Sequence, residues 1–143
     1  MKKVVYNARY GGFGFGLSGD ALYLMYKYGG PLKQIDFSED DLKGCKKISD
    51  SVFSYGDDIV ILTDSGYKML WFDVFDVANR SHPILIKVVE ELGLEKASCP
   101  CAKLSIDVIP DSELYTISEY DGYESVELML NHSYVLGFVM ENN

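Results

Sequence analysis

Two short connections limit how this chain can pair its strands. Only Thr63, Asp64, Ser65 and Gly66 separate the β-rich runs 59–62 and 67–77, and only Asp121-Gly122 separates 114–120 from 123–128. Parallel neighbours need a crossover of a dozen or more residues, whereas Asp-Ser-Gly and Asp-Gly turns reverse the chain within a hairpin. The sheet is therefore expected to be mostly antiparallel.

Around those hairpins stand further strands and two helices. Residues 4–6, 33–37 and 102–109 read as strands, and 133–140 is apolar enough for another. Ser18 is placed to cap a helix over 21–28, with Asp20 in its first turn and Gly29-Gly30-Pro31 as its stop. A second helix begins at Pro83. There Ile84, Leu85, Val88, Val89 and Leu92 share one apolar stripe, and Gly93 closes it. The polar segment 38–50 reads as a loop with at most one helical turn. The expected class is α+β, a mostly antiparallel sheet with two main helices packed on it, in a single domain over 1–143.

Thirteen basic residues against 22 acidic ones leave a net charge of −9. The basic cluster Lys43, Lys46 and Lys47 is flanked by Glu39, Asp40 and Asp41, so no face is expected to neutralise a nucleic-acid polymer. No apolar run approaches the roughly 20 residues that span a bilayer. Met1-Lys2-Lys3 leads straight into a strand-like run and gives no secretory signal pattern. Three cysteines without a Cys-x-x-Cys pair offer no four-ligand zinc set, and a reducing, cytosolic setting is expected. Cys99-Pro100-Cys101 reads first as two loop cysteines and second as a redox pair.

Gly11, Gly12, Gly14 and Gly16 fall within six residues, which calls for a loop with special backbone angles. The spacing of Gly14, Gly16 and Gly19 matches a dinucleotide fingerprint, with Asp36 beyond it. Seven residues separate Tyr6 from Gly14, however, and no βαβ series follows, so a dinucleotide-binding fold is not expected. A glycine-rich loop leading into a helix start still suits an anion. The only two arginines, Arg9 and Arg80, each precede a helix. A guanidinium grips phosphate or carboxylate through two parallel hydrogen bonds, the competing partner being an internal acid such as Glu119 or Asp121. The aromatic residues Tyr10, Phe13 and Phe15 would stack on a base or fold back to plug the loop.

The candidate ligand-binding set is therefore Arg9, Tyr10, Gly11, Gly12, Phe13, Gly14 and Ser18, joined by Arg80, His82, Glu119 and Asp121. No residue is assigned to catalysis. Glu119 and Asp121 have simpler explanations as surface and turn residues, as do Glu90 and Glu91. His82 and His132 have no Gly-x-Ser-x-Gly elbow to serve. Neither a cofactor nor a metal is expected.

Tyr10-Gly11-Gly12-Phe13-Gly14 with Leu17-Ser18 resembles the opening of a family of small proteins of unknown function, widespread in bacteriophages and other large DNA viruses. Arg80, Pro83 and residues 88–93 match the same family, as do 102–104 through 109–111 and Glu119-Tyr120-Asp121-Gly122. The likeness covers the first 20 residues and about 79–124. Family members usually read Tyr-Gly-Gly-Phe-Gly-Leu-Ser, so Phe15-Gly16 looks like a two-residue insertion. The family's basic, Trp-containing tail is replaced here by Glu141-Asn142-Asn143.

The resemblance implies a viral accessory protein in the host cytoplasm. By analogy of genome context it suggests a counter-defence sponge that holds a small anionic molecule, such as a cyclic nucleotide, without cleaving it. Two alternatives stand beside it: an inhibitor that binds a host protein through its acidic or apolar surface, and an uncharacterised enzyme. The apolar run 134–140 would leave a sticky edge, which points to a homo-oligomer.

Overall fold

The computed structural model describes residues 1–12 and 14–129. The expectations for Phe13, His132, a strand at 133–140 and the homo-oligomer inferred from it lie outside those residues.

Every strand pair among the described residues is antiparallel, and the strands divide into three sheets. Strand β1 (Lys2–Asn7) pairs with β7 (Leu104–Ile109). Five strands form the largest sheet: β2 (Lys33–Asp36), β3 (Lys46–Ser49), β4 (Val52–Tyr55), β5 (Asp58–Thr63) and β6 (Gly66–Trp71), in the order β2-β6-β5-β4-β3. Strands β8 (Tyr115–Tyr120) and β9 (Tyr123–Leu128) form a hairpin of their own.

Helix α1 (Gly19–Tyr28) starts where its cap predicts, with the Ala21 N–H donating to Ser18 Oγ at 3.1 Å, and stops at Gly29. Helix α2 (Pro83–Leu92) buries Leu85, Val88 and Val89, the centre of its stripe. Helix α1 packs on both β5 and α2, and α2 reaches β1. One apolar cluster results, joining Ile59, Ile61 and Leu70 of the sheet to Leu22 and Met25 of α1, Leu85 and Val88 of α2, and Val5 and Leu104 of the β1–β7 pair. Each such side chain, fully buried, stabilises the fold by about 1.5–3 kcal/mol.

Two local expectations need correction, and one short helix was not expected. The polar segment 38–50 holds a 3-10 helix (Glu39–Gly44) and then strand β3. All four β3 residues are exposed, so this edge strand lacks the apolar alternation that marks a half-buried one. The run 67–77 ends as a strand at Trp71, because Asp73 Oδ1 takes the Phe75 N–H at 3.1 Å and turns the chain. A second 3-10 helix (Val77–Ser81) then leads into α2. The four-residue helix α3 (Leu94–Ala97) is too short to show a period.

Candidate functional site

The glycine-rich loop leaves β1 at Asn7 and is held by two other loops that arrive about a hundred residues later. On one side lies the Cys99-Pro100-Cys101 turn. A Cβ on Gly12 would stand 2.4 Å from the Cys101 carbonyl oxygen, and one on Gly16 would stand 2.4 Å from Cys99 Sγ. Arg9 Nη1 donates to the Pro100 carbonyl at 2.9 Å, and the Cys99 N–H donates to the Gly16 carbonyl at 3.2 Å. Those glycines are required by close approach, since real Cβ atoms do not sit at such distances.

On the other side lies the tip of the β8–β9 hairpin. The Gly11 N–H donates to the Asp121 carbonyl at 2.7 Å, and the Tyr10 ring stacks on Tyr123 with centroids 4.5 Å apart. Asp121 and Gly122 both take positive φ, 52° and 87°, as a tight hairpin turn demands. Asn7, fully buried, ties the three segments together. Its Nδ2 donates to the carbonyls of Gly122 at 2.7 Å and Arg9 at 3.2 Å, and its Oδ1 accepts the Lys103 N–H at 2.8 Å.

Beneath this junction Arg80 and Glu124 form a buried bidentate pair. Arg80 Nη1 and Nη2 donate to the two Glu124 oxygens at 2.8 and 2.9 Å, and the side chains are only 3% and 8% exposed. Arg80 also donates to the Val74 carbonyl at 2.9 Å and the Val5 carbonyl at 3.4 Å. The Phe15 ring covers the guanidinium, its centroid 3.8 Å from Cζ. Glu124 Oε1 additionally accepts the Asn7 N–H at 2.8 Å. Arg80 Nε is buried with no partner among the described residues. Removing one member of such a pair leaves an uncompensated buried charge, which typically costs about 3–5 kcal/mol.

A cavity of about 460 Å³ opens against this pair. Phe15, Val74, Phe75, Val77 and Ile117 give it apolar walls, and Arg80, Glu124 and Glu119 supply its polar groups. Glu119 stands directly opposite Glu124 across the hairpin, and one of its oxygens accepts the Gly122 N–H. Mostly apolar walls with a few placed polar groups, in a volume of this order, are typical of small-ligand sites.

Of the expected site residues, Gly14, Arg80 and Glu119 meet at that cavity. Arg9, Tyr10, Gly11, Gly12 and Asp121 lie at the junction with the Cys-Pro-Cys turn and the hairpin tip, and none of them lines the cavity. Ser18 is occupied in capping α1, and a Cβ added to Gly19 at the helix start would meet Ile59 and Ile48 at 3.8 and 3.9 Å. His82 Nδ1 accepts the Ile84 N–H at 3.1 Å and so caps α2. Arg80 is gripped by Glu124, rather than by Glu119 or Asp121 as the competing internal partner. Both its Nη atoms are therefore engaged inside the protein.

Glu124, Asn7 and the wall residue Phe75 were not among the expected site residues. A signal for Glu124 exists in the sequence. A two-residue Asp121-Gly122 turn sets the register of its hairpin, placing Glu119 opposite Glu124. Like charges directly opposite destabilise a sheet, so that register calls for a cation between them.

No protein family, curated protein or solved structure matches this chain. Among the described residues no helix is long and apolar enough to cross a membrane, and no group of three or more His, Cys, Asp or Glu side chains is arranged to hold a metal ion.

Proposed function

We propose that this protein is a non-catalytic binder of a small planar ligand of the nucleotide class, and that it serves as a viral accessory protein of the kind its motifs resemble. The observation that carries the reading is the cavity beside Phe15, floored by a buried Arg80–Glu124 pair and edged by Glu119 and the 91% exposed Phe75. An aromatic ring entering there meets two phenyl groups and a carboxylate able to accept from a ring amino group. The anionic part of the ligand is assigned to Arg9 of the glycine-rich loop, which is exposed and donates to a neutral carbonyl, not to a carboxylate. With Arg80 neutralised by Glu124, the site suits a ligand of low charge better than a polyphosphate.

Calorimetry of the purified protein against cyclic nucleotides, ADP-ribose derivatives and NAD tests this. Binding is expected for at least one, weakened about tenfold or more by Phe75→Ala and by Glu119→Gln, in line with one lost stacking or charged hydrogen-bond contact. No heat with any member of the panel would sink the proposal.

A second reading has its own support. Phe75, Tyr120 and Leu114 are 91%, 78% and 68% exposed, and Phe75, the most exposed of them, offers a protein partner a large apolar contact. A host protein bound there would be retained by the Arg9→Ala variant and lost on Phe75→Ser, whereas nucleotide binding depends on both positions.

A further inference from the structure

Cys99 and Cys101 flank Pro100 in a turn closed by the Ala102 N–H, which donates to the Cys99 carbonyl at 3.0 Å. Residues two apart have Cα atoms at most about 7 Å apart when fully extended, and a turn brings them nearer, into the range a disulfide bridges. Both are free thiols, and both line one cavity of about 180 Å³ under Phe15. The turn is tied to the glycine-rich loop by the Cys99 N–H on the Gly16 carbonyl and by Arg9 on the Pro100 carbonyl, with Gly12 close against Cys101.

The two sulfurs differ in environment. Cys99 is 5% exposed and packed against Gly16, whereas Cys101 is half-buried. Burial pushes the Cys99 thiol up, and nearby Asp57 and Cys101 add to the rise. The backbone N–H groups of Cys101 and Ala102 oppose it only in part. A protonated, enclosed thiol is a poor first nucleophile, so the more open Cys101 is the better placed to attack an oxidant.

We propose that Cys99 and Cys101 are a redox pair that closes into an intrachain disulfide under peroxide. The Cys101 thiolate attacks one peroxide oxygen, the O–O bond breaks and hydroxide leaves, giving a sulfenic acid at Cys101. The Cys99 sulfur then attacks Cys101 Sγ. The S–O bond breaks, and the hydroxyl departs as water with the Cys99 proton. In sum two thiols and one hydrogen peroxide give one disulfide and two waters. This pocket shares Gly14, Phe15 and Val74 with the ligand cavity proposed above, but the thiol chemistry does not depend on a ligand there.

The test uses the full chain carrying Cys45→Ser, treated with equimolar hydrogen peroxide. Thiol titration should fall from both cysteines to neither, with an intact mass lower by two hydrogens and full recovery in dithiothreitol. With Cys99→Ser added, the Cys101 sulfenic acid should persist long enough for dimedone to trap it. With Cys101→Ser added, loss of the Cys99 thiol should slow by about tenfold or more, because the attacking thiolate is gone. Thiols that survive in the Cys45→Ser protein, a mass gain of oxygen without a disulfide, or a disulfide between two chains would each overturn the proposal.

Discussion

The five-stranded sheet and the loop junction are built at different ranges along the chain. In the sheet, β4, β5 and β6 follow one another through tight turns, and Ile59 faces Leu70 only eleven positions on. At the junction Asn7 bonds Gly122 and Glu124, 115 and 117 positions away, and Arg80 reaches back 75 positions to Val5. The sheet is held by apolar side chains that tolerate approximate fit. The junction is held by charged and amide groups that must all be satisfied together. A region of the second kind is expensive to break, because a lost partner leaves a buried charge or amide unpaired.

The sharpest way to break that contrast is Glu124→Ala. It strands the Arg80 guanidinium and should lower unfolding free energy by about 3–5 kcal/mol in urea titration. Glu124→Leu combined with Arg80→Met should recover most of the loss, because neither charge remains buried. A single-variant loss below about 1 kcal/mol would mean the junction is not held by this pair. In the sheet, Leu70→Ala, at 2% exposure, should cost about 2–4 kcal/mol as an ordinary cavity effect. No second substitution elsewhere is expected to repair it.

Gly12→Ala comes next. Its Cβ would meet the Cys101 carbonyl at 2.4 Å, so the loop and turn must separate at a cost of about 1–3 kcal/mol. Gly44, with nothing within 4 Å of its added Cβ, should accept alanine within about 0.5 kcal/mol. Thermal melts of the two variants give the comparison directly. Equal shifts would show that the Cys-Pro-Cys turn yields freely.

The smallest expected effect is one of pH. Burial, and then the charge of Asp57, push the Asp58 carboxyl up. The folded state therefore holds its proton more tightly than the unfolded chain, whose pKa is about 3.9. That contribution to stability is complete below the unfolded value and is lost as pH rises through the higher folded value. Asp58→Asn should be nearly neutral at pH 3 and modestly stabilising at pH 7, read as a higher urea midpoint. A variant less stable at pH 7 would show the charged carboxylate to be favourable where it stands.

The same contrast of range governs what could be read in advance. The caps at Ser18 and Gly29, the apolar stripe of α2 and both hairpin turns are local patterns, and the structure keeps each of them. Strand β3 escaped because Lys46, Lys47, Ile48 and Ser49 are all exposed on an edge. At the junction, Arg80, Gly14 and Glu119 could be picked out by residue type, but the partner that occupies Arg80 could not. Finding it needed the hairpin register, which places Glu119 against Glu124, and then the packing of Arg80 beneath that pair.

Alone, the amino-acid sequence determined helices α1 and α2, the two hairpins and the antiparallel sense of the strand pairs those tight turns join, because each is set by residues within a few positions of one another. Tertiary structure alone decided that β1 pairs with β7 and that the described strands divide into three sheets. It also decided that Gly12 and Gly16 make room for the Cys-Pro-Cys turn, and that Arg80 grips Glu124 rather than standing open to a ligand. Those outcomes depend on which buried groups meet across about a hundred residues. Solvent exclusion and the need to pair every buried charge choose among them only after the chain has closed on itself.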